Sequence, residues 1–150
     1  MAESSIIIKE STIDDLDSLE SLMKSLTETF RQKFFKEQWR LDMKYKYDVG
    51  GVFVAVDTTE DKIVGMILVD VGRDMLSNKM IGKIINFIVD PKYQGKGIGS
   101  MLLERAVDFS TERKATVVRI NARRELKNTV QLFQKFGFDE VYMVMERELE

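Results

Sequence analysis

Residues 84–103 of the chain read IINFIVDPKYQGKGIGSMLL. The first six of them form an apolar, β-branched run, which is typical of a strand that is buried on both faces. After Pro91, the only proline, a glycine-rich turn spans residues 94–99, and an amphipathic helix begins directly out of it. The first turn of a helix presents unpaired N–H groups and the positive end of the helix dipole. The stretch therefore predicts a strand, a glycine turn and a helix N-terminus that together can hold an anion.

The composition of the chain limits the chemistry that it can perform. Its 150 residues suit a single domain, and its net charge of −2 and pI near 5.4 argue against a nucleic-acid partner. The absence of cysteine and histidine excludes a disulfide framework, a Cys-His or Ser-His-Asp nucleophile, and a zinc site built from those side chains. No apolar run suits a signal peptide or a membrane span, so we expect a cytoplasmic protein without a membrane partner.

The first third of the chain is predicted to contain a strand and two helices. A short β-branched run at residues 5–9 indicates the strand. Apolar residues at helical spacing follow Thr12, which forms a capping pattern with Asp15. The aromatic-rich region at residues 30–47 has no glycine or proline, but one helix through it would be unusually long, so we predict a joint near residues 27–33. Its aromatic rings either pack in the core or line a substrate cleft.

The rest of the chain alternates strand and helix patterns around the glycine turn. Gly50-Gly51 indicates a turn. Strands are predicted at residues 52–56, 63–71, 80–89, 115–122 and 138–149, and helices at residues 98–113 and 125–136. The last helix stops at Gly137, which suits a left-handed cap. This order predicts one α/β domain over residues 1–150, with a mixed sheet that carries helices on both faces.

Two common phosphate-binding motifs do not fit the glycine turn. The GxxxxGK(S/T) spacing of a P-loop is absent. The glycines fall as GxGxG, and residues 90–93 separate the strand from Gln94, which does not match the dinucleotide fingerprint. A tight turn that needs glycine only for steric reasons is the structural alternative.

The wider pattern resembles the GNAT superfamily of N-acetyltransferases. Residues 94–99, QGKGIG, match the family's (Gln/Arg)-x-x-Gly-x-(Gly/Ala) turn, and residues 87–93 match the run that leads into it. The sequence FQKFGF at residues 133–138 matches a second family signature, and the order of the elements agrees over nearly the whole chain. The resemblance implies the GNAT fold, a mixed and mostly antiparallel sheet in which a central pair of parallel strands splays apart.

The resemblance also implies an acyltransferase that moves an acetyl group from acetyl-CoA directly to a primary amine. No pattern in the sequence signals a metal, and the composition leaves open only a site built from oxygen ligands. The acceptor would be a small molecule, a polyamine, or the N-terminus or a lysine of a peptide. In the family, the glycine turn holds the pyrophosphate, the strand before it pairs with the pantetheine arm, and an N–H of Ile88 or Val89 would be the oxyanion donor. The residues implied for acetyl-CoA binding are Phe87, Ile88, Val89, Gln94, Gly95, Lys96, Gly97, Ile98, Gly99, Ser100, Asn128, Phe133 and Lys135.

Two positions depart from the family pattern, and both concern proton transfer. Phe133 stands where many members have a tyrosine as general acid, and residues 81–83 lack the glutamate that serves many members as general base. A thiol with a pKa of about 8.5 is a fair leaving group, so water could protonate it. The base could be Asp70, Asp74, a carboxylate of residues 30–47, or water. The alternative function is a CoA-binding sensor or regulatory module with weak or no catalysis.

The acceptor side of the site is expected to involve residues 30–47, residues 72–79 and the end of the chain. Four acidic side chains either attract a cationic amine or form solvated helix faces: Glu28, Glu37, Asp42 and Asp48. The tail at residues 138–149 has little room for a long loop before a last strand. That side is therefore expected to be open or to be covered by a second subunit of a homodimer.

Overall fold

The computed structural model describes residues 5–149, which form a five-stranded sheet with its strands in chain order. The strands are β1 (Ile6–Glu10), β2 (Val52–Asp57), β3 (Lys62–Arg73), β4 (Met80–Val89) and β5 (Val117–Ile120). Neighbouring strands are antiparallel except β4 and β5, which are parallel. This arrangement confirms the predicted mixed, mostly antiparallel sheet.

Within the same residues, four α-helices pack on the sheet: α1 (Leu16–Thr29), α2 (Lys36–Val49), α3 (Ile98–Glu112) and α4 (Lys127–Lys135). Short 3-10 turns at Ile13–Asp15 and Pro91–Tyr93 precede α1 and the glycine turn. The Thr12 N–H donates to the Asp15 carboxylate at 3.0 Å, as the capping pattern predicts. Residues 30–35 separate α1 from α2, which confirms two helices with a joint close to the predicted place.

The sheet separates two hydrophobic cores, because residues along a strand alternate between its faces. Met66 and Leu68 of β3 face α1 and α2, where they pack in a cluster with Trp39. Ile67 and Val69 face the opposite side, where α3 and α4 cover them. Helices therefore cover both faces of the sheet, as predicted.

The aromatic region at residues 30–47 is divided between core and surface. Trp39 is buried, and its ring centroid lies 5.8 Å from that of Phe34. Phe35 and Tyr45 are exposed. Core packing therefore explains Trp39, and the exposed rings belong to the surface of α2 and the loop before it.

The strand predicted at residues 138–149 is wrong. In the described structure, residues 139–149 form no strand and make no backbone hydrogen bond, so β5 lies at the edge of the sheet. Phe138 only closes the preceding helix, since its N–H donates to the Phe133 carbonyl at 3.0 Å after the left-handed Gly137. An apolar pattern gives a segment the capacity to form a strand, but pairing also needs a strand edge in register with it.

A β-bulge in β4 shapes the region before the glycine turn. Leu68 of β3 pairs with Asn86, but the next residue of β3 pairs with Ile84, so Ile85 is the extra residue of the bulge. The parallel pairing of β4 with β5 ends at the same place, where Ile84 meets Ile120. The two strands therefore splay apart beyond this point, as predicted. Ile85 is 41% exposed, which corrects the expectation that this run is buried on both faces.

Candidate functional site

The splayed strands leave one edge of β4 open over residues 85–89, and we call the opening between this edge and β5 the cleft. The N–H of Asp90 donates to the Val64 carbonyl of β3 at 2.8 Å. Successive residues of a strand point their N–H and C=O groups to opposite sides. The backbone N–H and C=O of Ile88, two residues before Asp90, therefore also point to β3. The backbone N–H and C=O groups of Phe87 and Val89 then point into the cleft. These two residues offer backbone groups to a ligand that lies between the strands.

The glycine turn adds a second set of unpaired groups next to the cleft. Gly95 and Gly97 both have φ of +80°, a left-handed conformation that costs residues with a side chain about 1–2 kcal/mol. Nothing lies within 4 Å of a Cβ built on either glycine, so this side of the turn is open. The first backbone bond of α3 joins the Met101 N–H to the Gly97 carbonyl at 3.2 Å. The amides of residues 98–100 therefore have no partner within the helix and can bind an anion.

Gly99 is explained by close packing of α3 against its neighbours and not by the shape of the turn. A Cβ at Gly99 would lie 3.2 Å from the Phe87 ring and 3.3 Å from a Leu132 methyl group. The start of α3 therefore approaches β4 and α4 so closely that a side chain at Gly99 would require Phe87 and Leu132 to shift. This glycine sets the position of α3 beside the cleft, whereas the other two shape the turn.

The short turn before the glycines is tied to the β2–β3 hairpin by Tyr93. Its hydroxyl donates to the Asp57 carboxylate at 2.7 Å. This bond lowers the pKa of Asp57 and raises the pKa of Tyr93 to about 12. The Lys96 ammonium lies 5.0 Å from the centroid of the Tyr93 ring, which places a positive charge beside the turn. The Gln94 side chain donates to the Val89 carbonyl at 3.3 Å and so joins the turn to β4.

The helix α4 carries the remaining predicted binding residues, and the structure separates them. Phe133 is only 5% exposed and lies in the core, with its ring centroid 5.8 Å from that of Phe87. Asn128 and Lys135 lie on the exposed surface of α4, in its first and last turns. Phe133 therefore supports Phe87, whose backbone lines the cleft, whereas the two polar residues face solvent.

Charged side chains form a row across the sheet just before the bulge. Asp70 of β3 pairs in register with Lys83 of β4, and Lys83 pairs with Arg119 of β5. Lys46 of α2 is only 6% exposed, and its ammonium donates to the Asp70 carboxylate at 2.5 Å and to the Val69 carbonyl. The carboxylate of Asp70 is therefore engaged by a buried cation.

The second carboxylate proposed as a base, Asp74, is engaged as well. It accepts hydrogen bonds from the Ser77 hydroxyl at 2.6 Å and from the Ser77 amide at 2.9 Å, and these bonds lower its pKa. The acidic residues considered on α1 and α2 are all exposed: Glu28, Glu37, Asp42 and Asp48. None of these observations identifies a carboxylate that points freely into the cleft.

The loop after β5 contacts the loop after α1. The guanidinium of Arg123, which follows β5, lies 4.3 Å from the ring centroid of Phe30, which follows α1.

Across residues 5–149, no helix combines the length and apolarity needed to cross a membrane. The same residues contain no group of three or more Asp, Glu, His or Cys side chains that could hold a metal ion.

The sequence placed Tyr93 in the run before the glycine turn but gave it no role, and it did not assign Asp57 or Lys46 to this region. Asp57 and Tyr93 are 36 positions apart, and no local pattern connects them. Lys46 did carry a signal, because it continues the helical spacing of Trp39 and Met43, the two other buried residues of α2. A lysine on a buried stripe needs a partner of opposite charge, which Asp70 supplies.

The chain is similar in sequence to several known proteins. The pattern of the acetyltransferase (GNAT) family matches residues 19–138. An uncharacterised N-acetyltransferase of Methanocaldococcus jannaschii is 27% identical over 142 residues, which are 91% of this chain and 62% of that protein. A mycothiol acetyltransferase of Thermobifida fusca is 30% identical over 96 residues, which are 62% of this chain and 30% of that protein. The chain thus spans less than two thirds of the length of these curated relatives.

Solved structures share the fold at low sequence identity. An aminoglycoside N-acetyltransferase in complex with CoA superposes with a TM-score of 0.85 at 14% identity, over 99% of this chain and 97% of that chain. An acetyltransferase of Trypanosoma brucei superposes with a TM-score of 0.77 at 20% identity, over 97% of this chain and 100% of that chain. The fold agrees with the sequence match over residues 19–138, which shows that the protein belongs to the acetyltransferase (GNAT) family.

Proposed function

We propose that the protein is an N-acetyltransferase that transfers the acetyl group of acetyl-CoA directly to a primary amine. One observation carries this proposal: the unpaired amides at the start of α3 follow directly on the open edge of β4. The amides suit an anion, and the open edge suits an extended chain that contains amide groups. CoA contains both, a pyrophosphate and a pantetheine arm. Membership of the acetyltransferase family supports the same ligand.

The residues present fit this ligand. Amides of residues 95–100 would hold the pyrophosphate, and the open sides of Gly95 and Gly97 leave room for it. The pantetheine arm would pair with the backbone of Phe87 and Val89 as an added strand. Lys96 would add positive charge beside the phosphates, and the exposed residues of α4 would contact the nucleotide end: Asn128 and Lys135.

The reaction forms one bond and breaks one bond at the thioester carbonyl. The neutral amine nitrogen bonds to the carbonyl carbon, and the carbon–sulfur bond breaks with its electron pair leaving on sulfur as a thiolate. The nitrogen gives one N–H proton to water as the amide forms. The Val89 N–H would donate to the carbonyl oxygen as negative charge develops there. We choose Val89 over Ile88 because the backbone groups of Ile88 face β3. Direct transfer suits a chain without cysteine or histidine, because no acyl-enzyme is needed.

Proton transfer would rely on water. An alkylammonium acceptor must lose a proton before its nitrogen can attack. Asp70 is paired with Lys46 and Asp74 is bonded to Ser77, so neither is a free base. Phe133 cannot donate a proton to the departing sulfur, but a thiol with a pKa of about 8.5 makes a thiolate that can leave without an acid.

The acceptor class is a small-molecule amine, a polyamine, or a peptide N-terminus or lysine. One relative is named for mycothiol, and one structural neighbour is named for aminoglycosides, so the proteins that resemble this chain differ in acceptor. Acetyl-CoA is charged and does not cross a membrane unaided. We therefore also propose that the protein is located in the cytoplasm, together with this co-substrate.

The test is release of free thiol from acetyl-CoA by the purified protein with a panel of amines. We expect release above the background without protein for at least one amine, and a matching acetylated product by mass spectrometry. Tight CoA binding with no release across the panel would instead support a CoA-binding sensor or regulatory module. Phe133 and the lack of an acidic residue at positions 81–83 favour that second candidate.

A further inference from the structure

Two cationic side chains lie next to each other where the cleft begins. Lys83 of β4 pairs in register with Arg119 of β5. The next residue of each strand forms the last pair before the strands splay, which joins Ile84 to Ile120. Residues paired in register present their side chains on the same face of the sheet. Lys83 and Arg119 therefore form one local site, which we call the basic pair.

The basic pair lies on the face of the sheet opposite to α3 and α4. Ile84 and Ile120 pack in the core under α3. Successive side chains of a strand point to opposite faces, so the basic pair points to the face that carries α1 and α2. Lys83 is exposed and the bulge residue Ile85 is 41% exposed, so these helices do not cover the sheet at this place. A molecule in solution can therefore reach the basic pair.

The charge of Lys83 is not neutralised by an acidic side chain within residues 5–149. Its neighbour in register on β3 is Asp70, but the ammonium of Lys46 already binds that carboxylate at 2.5 Å. Lys83 itself forms no ion pair and no side-chain hydrogen bond in the described chain. An exposed ammonium beside a cleft is therefore available to a ligand.

The charge of Arg119 is also left without an ion pair in the described part of the chain. Its guanidinium lies 5.3 Å from the ring centroid of Tyr142, a contact that fixes the group without supplying an opposite charge. The hydrogen bonds from Ser77 lower the pKa of Asp74 most, and the charge of Arg119 adds to this effect. The Asp74 carboxylate is bonded to Ser77, however, and forms no ion pair with the arginine.

The chain around the basic pair is basic as well. Residues 80–89 and 117–124 contain one and three cationic residues and no acidic residue. Residues 30–36, which contact the loop after β5 through Phe30, contain three cationic residues and no acidic residue. The two arginines that follow β5 are paired with glutamates, so the basic pair carries the uncompensated charge of the two strands. Because the chain as a whole has a net charge of −2, this concentration of one sign favours an anionic ligand.

The proposed CoA complex brings the acetyl group towards the basic pair. The pyrophosphate would lie at residues 95–100, and the pantetheine arm would extend from there beside Val89 and Phe87. The thioester at the end of the arm is therefore directed to the closed end of the cleft. Four to six residues of β4 separate Lys83 from the residues beside the arm, which is about 13–20 Å along an extended strand. Long side chains bridge part of this distance, so an acceptor would reach the basic pair with a group several bonds away from its amine.

We propose that the acceptor amine carries an anionic oxygen group, a carboxylate or a phosphate, at its far end, and that the basic pair binds this group. Arg119 can donate two parallel N–H bonds to such a group, and Lys83 adds a compact positive charge. The inference rests on the proposed N-acetyltransferase activity and narrows its acceptor. It disfavours a polyamine, because the basic pair repels a second ammonium group.

The first experiment compares four acceptors that share one six-carbon chain and one primary amine and differ only at the far end: hexylamine, diaminohexane, aminohexanoate and aminohexyl phosphate. We expect kcat/KM for at least one of the two anionic amines to exceed that of hexylamine by about tenfold or more, and diaminohexane to be the poorest acceptor. The two anionic amines also show whether a carboxylate or a phosphate is preferred. Equal values for all four, or a preference for diaminohexane, would overturn the anion site while leaving the acetyl transfer itself in place.

Variants connect this preference to the two residues. Lys83→Gln, Arg119→Gln and the double variant should each lower the ratio of kcat/KM for the preferred anionic amine to that for hexylamine, and the double variant should bring it close to one. The matched control is Lys79→Gln, which removes the same charge from the exposed loop between β3 and β4 and should keep the ratio. An unchanged ratio in the double variant, or an equal loss in the control, would show that the basic pair does not bind the acceptor.

A binding measurement gives an answer that does not depend on turnover. Aminohexanoate, aminohexyl phosphate and diaminohexane are added separately to the CoA-loaded protein, and NMR follows the backbone amides of Lys83 and Arg119 and the Nε–H of the arginine. We expect shifts at these groups with an anionic probe and not with diaminohexane. Thiol release without such shifts would overturn the role of the basic pair alone, whereas shifts without thiol release from any amine would overturn the proposed transfer alone.

Discussion

At the scale of the residue, Tyr93 connects the glycine turn to a distant hairpin through Asp57. The pKa of Asp57 is lowered from its ordinary 3.8, so its contribution to stability is complete above pH 3.8 and is lost as the pH falls through the lowered pKa. The pKa of Tyr93 is raised from 10.0 to about 12, so its contribution is complete below pH 10.0 and is lost as the pH rises towards 12. The bond therefore stabilises the turn between these two limits.

We expect Tyr93→Phe to lower the free energy of unfolding at neutral pH and to weaken CoA binding, because it releases the turn from the hairpin. The difference in free energy of unfolding between wild type and variant should shrink below pH 3.8 and above pH 10.0. Urea unfolding at a series of pH values measures this difference. Tyr142→Phe, at an exposed tyrosine outside the turn, is the control. A difference that does not vary with pH would contradict this role for Tyr93.

Gly97 allows charge and backbone strain to be separated. Gly97→Ala and Gly97→Glu both place a side chain at φ of +80°, at a cost of about 1–2 kcal/mol, but only glutamate adds a negative charge to the anion site. We expect glutamate to weaken CoA binding at least about tenfold more than alanine, which corresponds to about 1.4 kcal/mol. Calorimetric titration of both folded variants measures the ratio. Equal losses would mean that strain alone explains the effect and that the phosphate site lies elsewhere.

The pH dependence of kcat/KM for acetyl transfer shows which group accepts the proton of the amine. Without a free carboxylate at the cleft, kcat/KM for a lysine-like amine should rise about tenfold per pH unit until the amine's own pKa near 10.4. Steady-state rates of thiol release across the pH range measure this profile, and Asp70→Asn should keep its shape. A plateau at lower pH in the wild type that Asp70→Asn removes would instead identify Asp70 as the general base.

At the scale of the element, α2 is fixed to β3 by the buried ammonium of Lys46. Asp70→Asn removes the opposite charge beside that ammonium, although the amide oxygen can still accept a hydrogen bond, so we expect the free energy of unfolding to fall by about 1–2 kcal/mol. Half of the Asp70 side chain is exposed, which keeps the loss below that of a fully buried pair. Chemical denaturation measures it, with Asp48→Asn on the exposed side of the same helix as the control. No loss in Asp70→Asn would mean that water replaces the pair.

Helices and strands that are bounded by proline or glycine were predictable from the sequence. The β-bulge inside β4 was not. The bounds of β4 and the start of α3 match the sequence pattern, because a proline and a glycine turn lie between them. The bulge at Ile85 has no such signal. Nearly every residue of the run 84–89 is apolar, so the pattern cannot show which one is extra. Its position depends on how β3 and β5 pair with β4, which is a property of the sheet.

At the scale of the whole molecule, sequence patterns failed where two bonded residues are far apart in the chain, and where an apolar segment forms no strand. Asp57 and Tyr93, and also Lys46 and Asp70, meet across 36 and 24 positions, and nothing local connects them. The pattern of residues 138–149 predicted a strand, but residues 139–149 pair with no strand of the described chain.

The cleft begins where the pairing of β4 with β5 ends, at Ile84 and Ile120. The decisive measurement for the cleft is the shift of each backbone amide in NMR spectra as CoA is added. We predict the largest shifts at Phe87, Val89 and residues 95–100, and a small shift at Ile88, whose amide faces β3. Shifts concentrated on another surface, or a large shift at Ile88 without one at its two neighbours, would contradict binding between the splayed strands.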